Sequence, residues 1–138
     1  MKNRVFKWVC VSLSIIILCL VITFVLTPAL RVRSFVALYS DSIEDSMSSG
    51  HGISATLPVK SFNSWEGEHN MTEFILFAFG DTYYGCYYSF DDVPLAFQNA
   101  EVELTQNEDT SWTWTAEGDN HGETSKIKDN WYYFSASF

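Results

Sequence analysis

Cys86 is the candidate nucleophile of the tyrosine-rich stretch TYYGCYYSFDDVP. A catalytic cysteine needs a neighbouring base or positive charge to form its thiolate. Its sequence neighbours are tyrosines and a glycine, and the histidines His51, His69 and His121 lie in separate loop-like stretches. We therefore expect Cys86 to pack as a small apolar residue, and we predict no catalytic residue here.

Two short segments combine carboxylates with an imidazole, the side chains that bind zinc and other transition metals. WEGEHN places Glu66, Glu68 and His69 within four residues, and DNHGE covers residues 119–123. Structural zinc sites need four ligands at recognisable spacing, and calcium loops alternate their oxygen ligands. Neither segment has such spacing. Both are interpreted as polar turns, and the sequence predicts neither a metal site nor a bound cofactor.

Paired carboxylates offer the route to an enzyme, because a hydrolase can use one as acid and one as base. The candidates are Asp91 with Asp92 and Glu101 with Glu103. Adjacent strand residues project to opposite faces, whereas Glu101 and Glu103 share a face and resemble solvated strand positions. Neither pair has a feature that favours catalysis. A small hydrolase using acidic residues is therefore the alternative function.

The tyrosine-rich stretch divides into two faces because strand side chains alternate. One face is predicted to join the core and carries Tyr84, Cys86, Tyr88 and Phe90. The other face carries a glycine between two tyrosines, and Tyr83, Gly85 and Tyr87 form a possible ligand face. The gap above Gly85 admits a ligand ring or a neighbouring helix. We favour a helix above it, with an open groove as the alternative.

An apolar segment near the N-terminus determines where in the cell the rest of the chain is expected to lie. Trp8 to Leu26 is nineteen residues without a charge, which at about 1.5 Å per residue crosses a hydrocarbon core. Basic residues flank it at positions 2, 4 and 7 and at positions 31 and 33. The sequence predicts an uncleaved single-pass anchor in the cell membrane over residues 1–33, with the C-terminal domain outside the cytoplasm. A cleaved signal peptide and a cytoplasmic globular domain are the alternatives.

The remaining residues, 34–138, form a predicted acidic domain. They hold all 17 acidic residues and three lysines, Lys60, Lys126 and Lys128, for a net charge of 3 − 17 = −14. Such a domain is repelled by phosphate backbones, which excludes nucleic acid as a partner. The charge favours solubility, and it also suits a cationic partner or bound divalent ions.

The pattern of this domain changes from a helical to a strand period. Residues 34–49 have apolar side chains at spacings of three and four, which predicts an amphipathic helix ended by Gly50 and Gly52. Seven strand candidates follow, at 53–60, 74–79, 83–90, 100–104, 112–116, 123–128 and 131–138. The predicted fold is α+β, with the short helix packed on an antiparallel sheet of about six to seven strands. An all-β sandwich or half-barrel is the alternative.

Two runs, YYGCYYSFDDVPLAFQNAEVELT and DNWYYFSASF, resemble small membrane-anchored proteins of unassigned function from Gram-positive bacteria. The resemblance covers residues 83–138 and implies an exported domain behind one anchor. It implies no activity, cofactor or functional residue. We therefore expect a membrane-tethered, non-catalytic extracytoplasmic module that binds a protein or an envelope glycan.

Overall fold

The computed structural model describes residues 2–50, 52–53, 57–108 and 110–138. The chain forms two compact units, Met1–Arg31 and Val32–Phe138. Helix α1 covers Lys2–Leu26, and helix α2 covers Pro28–Ser48. Pro28 occupies the first position of α2, where its missing N–H leaves no hydrogen bond unmade. Gly50, with φ of 69°, follows the end of α2 and supplies the left-handed conformation that ends a helix.

The membrane anchor stays a prediction. Among the described residues, no single helix is both long enough and apolar enough to span a membrane. The successive helical segments Val11–Phe24 and Pro28–Ser48 meet that requirement together, by length and composition only.

The second unit contains a single antiparallel sheet of seven described strands. The strands are β1 (Ser61–Trp65), β2 (Met71–Phe79), β3 (Thr82–Ser89), β4 (Leu104–Glu108), β5 (Ser111–Thr115), β6 (His121–Lys128) and β7 (Trp131–Ser137). Their order across the sheet is β1-β2-β3-β7-β6-β5-β4. The α+β class and the antiparallel sheet are confirmed.

Two predicted strands are displaced along the chain. Residues 57–60 form no strand and β1 begins only at Ser61, while residues 54–56 of that predicted strand lie outside the described residues. Residues 100–103 are also irregular, and β4 begins at Leu104. The alternation of apolar and polar residues predicted a strand here because Val102 packs against the core, but it does so from a loop. The backbone hydrogen bonding of this loop is local, since the Val102 N–H donates to Ala100 O.

The sheet has two covered faces. On the helix-side face, the Phe35 ring of α2 lies 6.2 Å from the Phe74 ring, and the Trp131 indole donates to Glu44 at 2.7 Å. On the opposite face, the connection between β3 and β4 crosses the sheet. We call this connection, residues 90–103, the strap, and the face beneath it the strap-side face. Phe97, in a short 3-10 turn of the strap, packs on the Phe134 ring at 5.2 Å.

Candidate functional site

The three residues of the predicted ligand face lie on the strap-side face and are largely buried. Tyr87 is fully buried and stacks on Tyr132 with the ring centroids 5.2 Å apart. Gly85 is also buried. Tyr83 keeps accessible surface, and its ring packs on Phe97. Ligand binding by Tyr83, Gly85 and Tyr87 stays a prediction, and Tyr83 is the member of the three that a ligand can reach.

The predicted cover of this face was wrong. Helix α2 packs on the face that holds Phe74 and Trp131, so it does not lie above Gly85. The space beside Gly85 is occupied by Phe134, directly opposite on β7: a Cβ added to Gly85 would lie 2.8 Å from that ring and would overlap Phe74 O. Gly85 is therefore required by an aromatic ring of the sheet itself.

Tyr87 anchors the strap through a chain of buried hydrogen bonds. The Leu95 N–H donates to the Tyr87 hydroxyl at 2.8 Å, and Tyr87 bonds to Thr124 Oγ1 at 2.7 Å. Thr124 in turn donates to Tyr133 O at 3.0 Å. Because Thr124 donates its own proton there, Tyr87 is the donor between the two hydroxyls. Every hydroxyl proton is thereby used, and the network fixes the strap on the sheet.

Cys86 lies on the helix-side face and is fully buried. Burial, reinforced by the charge of Glu73, raises the pKa of its thiol well above the usual value. A raised thiol pKa disfavours the thiolate that nucleophilic chemistry requires. Cys86 therefore has the properties of a small apolar core residue.

The adjacent acids Asp91 and Asp92 have separate tasks. Asp91 Oδ2 lies 2.9 Å from His69 Nδ1 at the surface. Asp92 accepts hydrogen bonds from Lys126 Nζ at 2.6 Å and from the Asn130 N–H at 2.8 Å. The Lys126 hydrogen bond lowers the pKa of Asp92. Asp92 therefore ties the start of the strap to the β6–β7 turn.

A cleft of about 300 Å³ opens between the β1–β2 turn and the strap. Its polar lining includes three residues of the β1–β2 turn and one strap acid: Glu66, Glu68, His69 and Glu101. Its apolar lining is formed by Pro94, Leu95, Ala96, Val102 and Leu104. We call it the acidic cleft. Across the described residues, no three His, Cys, Asp or Glu side chains are placed to hold one metal ion.

Hydrogen bonds join the two walls of the acidic cleft. Asn99 of the strap donates through Nδ2 to His69 O at 2.9 Å. Gly67 allows this approach, because a Cβ there would lie 2.7 Å from Asn99 Nδ2. The imidazole of His69 is oriented by Asp91. The cleft is therefore a built feature, whose turn and strap hold each other in place.

Glu73 is an important residue that the sequence patterns missed. It is fully buried on β2, and its Oε2 accepts the Gln98 N–H of the strap at 2.9 Å. Burial raises its pKa to about 7, although the Gln98 N–H and the nearby Trp65 indole favour the charged form. Trp65 Nε1 and Glu73 Oε1 do not reach hydrogen-bond geometry, and neither has a partner among the described residues. A carboxyl group that titrates near neutrality thus holds the strap from beneath.

One signal was available for Glu73. It lies two residues after Met71 and two residues before Ile75, so a strand places its carboxyl group on the same face as these apolar side chains.

Comparisons with models of protein families, with curated proteins and with solved structures find no match for this chain.

Proposed function

We propose that this chain is a membrane-tethered, non-catalytic binding module. Residues 1–33 form a single-pass anchor in the cell membrane, and residues 34–138 form a binding domain outside the cytoplasm. The ligand is a protein segment or an envelope glycan that carries positive charge. The apolar run from Trp8 to Leu26 and its basic flanks support the anchor.

The acidic cleft carries this proposal. It combines carboxylates from both walls with an apolar floor, a combination that suits a ligand with a cationic group beside an apolar surface. The net charge of −14 over residues 34–138, the difference of three lysines and 17 acids, attracts such a ligand over a longer range.

The acidic cleft and helix α2 belong to different faces of the sheet. Residues of α2 pack on the helix-side face, and α2 follows the apolar helix α1 after one intervening residue. The acidic cleft lies on the strap side, since its floor residue Leu95 belongs to the core cluster of that face.

A pair of charge-matched variants tests the cleft. Glu68→Gln with Glu101→Gln removes two carboxylates from it, and Glu117→Gln with Asp119→Asn removes two exposed carboxylates elsewhere. The full chain in detergent micelles is titrated with a Phe-Lys-Phe peptide amide and with a partly deacetylated chitin oligosaccharide. We expect the cleft variant to lose binding of one probe while the control variant keeps it. Equal losses in both variants would mean general charge attraction and would contradict a cleft site.

The location has its own test. Membrane fractionation should recover the full-length chain with the membranes. A tag after Phe138 should be digested by protease added to intact spheroplasts. A soluble chain, or a protected tag, would contradict the tethered arrangement.

A hydrolase using acidic residues is the second candidate. The observation that favours it is the His69–Asp91 pair beside the carboxylates of Glu68 and Glu101. Mass spectrometry of both probes after prolonged incubation separates the two functions. Intact probes support a binder, and shortened probes that require Glu68 or Glu101 support the hydrolase.

A further inference from the structure

Among the described residues, no strand pairs with the outer edge of β1. β1 lies at one end of the strand order, and its described partner is β2 alone. An edge strand presents unpaired N–H and C=O groups, which natural proteins protect with charges, proline or bulges. β1, with the sequence SFNSW, has none of these, and its register with β2 is regular over all five residues. The opposite edge strand, β4, carries an irregularity between Gln106 and Glu108.

The middle of β1 is accessible. Phe62, Asn63 and Ser64 are exposed, so another strand can approach this edge. β1 is also an uncharged stretch in a domain of high negative charge, so the general repulsion between two such domains is weakest there. At about 0.15 M salt, charges more than about 8 Å apart are largely screened, which leaves short-range contacts to decide pairing.

The charges that flank β1 are complementary to those of a second copy. Lys60 lies three residues before Asn63, and Glu66 lies three residues after it. When two β1 strands pair antiparallel about Asn63, each Lys60 falls at the register position of the Glu66 of the other copy, one residue beyond the end of β1. Both charges are on the strap-side face, because Lys60 Nζ lies 5.4 Å from the Tyr83 ring and Glu66 lines the acidic cleft.

Lys60 is also the lysine available for such a pair. Lys126 and Lys128 already have carboxylate partners within the domain. Across the described residues, Lys60 has no carboxylate within ion-pair distance. A symmetric contact between two copies would therefore place each Lys60 in an ion pair with the Glu66 of the other copy.

We propose that two copies of this chain associate through β1, antiparallel and centred on Asn63, so that their sheets join into one continuous sheet. The contact is isologous, with each copy donating and accepting the same bonds. The joined sheet keeps both α2 helices on one face and both acidic clefts on the other. This association does not require a ligand in the clefts, although it uses one residue of the cleft lining, Glu66.

Cysteine cross-linking tests the register. Cys10→Ser and Cys19→Ser in the full chain give a background that retains the buried Cys86. In this register position 63 lies opposite itself, at the roughly 4.5–5.5 Å Cα separation of antiparallel neighbours, within disulfide range. Position 61 lies opposite position 65, so two copies of it are about 13 Å apart at 3.3 Å per residue.

We therefore expect Asn63→Cys to form a disulfide-linked dimer in detergent micelles under mild oxidation. Ser61→Cys and the opposite-edge control Thr105→Cys should stay mostly monomeric. An Asn63→Cys chain that stays monomeric, or a Ser61→Cys chain that cross-links as well, would overturn the proposal.

Charge reversal provides an independent test at about 0.15 M salt. Lys60→Glu or Glu66→Lys alone should weaken dimerisation roughly tenfold in sedimentation experiments, because each change creates two like-charge contacts. The double variant should restore it. A double variant that dimerises as weakly as either single variant would contradict the Lys60–Glu66 pairing.

Discussion

The two faces of the sheet are covered by different means. The helix-side face is closed by α2, whose Val32, Phe35, Val36 and Ile43 are buried. The strap-side face is closed by irregular chain, and this chain is held by buried polar groups such as the Tyr87 hydroxyl and the Glu73 carboxyl group. A helix satisfies its own backbone hydrogen bonds, whereas a strap must find partners for them. The difference explains why a buried carboxyl group, that of Glu73, lies beneath the strap.

The tightest packing on the strap-side face gives the largest expected effect. Gly85→Val should lower the free energy of unfolding by about 3 kcal/mol or more, because the new side chain meets Phe74 O and the Phe134 ring. Gly52→Val is the control, since nothing lies within 4 Å of a Cβ there. Chemical denaturation of both variants checks this, and equal stabilities would contradict the close packing around Gly85.

The pH response of Glu73 is expected to be of similar size. Its pKa is about 7 in the folded chain against 4.5 ordinarily, so the folded state binds the proton more tightly. The contribution of Glu73 protonation to the free energy of unfolding is therefore complete below pH 4.5. It decreases by roughly 3 kcal/mol in total as the pH rises to about 7.

Glu73→Gln should abolish this component. We expect the variant to gain stability over the parent chain as pH rises from 4.5 to 7. Denaturation curves at several pH values measure the difference. A constant difference across that range would mean that Glu73 does not titrate there.

A smaller effect is expected for the hydrogen bond between α2 and the helix-side face of the sheet. Trp131→Phe keeps an aromatic ring but loses the hydrogen bond from the indole to Glu44. We expect a loss of about 1 kcal/mol. Glu44→Gln in the same assay keeps an acceptor and should cost less. A larger cost for Glu44→Gln would assign the effect to the charge of Glu44, whose Oε1 also lies 3.2 Å from Lys128 Nζ.

The smallest effect is expected at the exposed ion pairs of α2. Lys128 Nζ lies 3.4 Å from Asp41 and 3.2 Å from Glu44. Lys128→Gln should change stability by less than about 0.5 kcal/mol, because exposed pairs are screened by water and salt. A larger loss, insensitive to salt in thermal melts, would give these charges a greater part in holding α2.

The helix and strands with strong local patterns were predictable from the sequence, but which segment covers each face of the sheet was not. The period of residues 34–49 revealed α2, and Gly80-Asp81 marked the β2–β3 hairpin. The division of Tyr83 and Cys86 between opposite faces followed from strand alternation. Which face receives the helix depends on contacts far apart in sequence, such as Phe35 with Phe74. The acidic cleft was missed for the same reason, since it needs the strap to return to the turn around His69.

The strand order has a consequence for the synthesis of the chain. β7 is the last of the seven described strands to be made, yet it lies between β3 and β6. β7 pairs with β3 from Thr82 opposite Ser137 onward, so the centre of the sheet cannot form until residues 131–137 have been made. Protease resistance in ribosome-bound chains arrested before Trp131 would contradict this dependence. Until β7 leaves the ribosome, β1–β3 and β4–β6 are two separate meanders with unpaired edges, and the nascent chain is most exposed to aggregation during that interval.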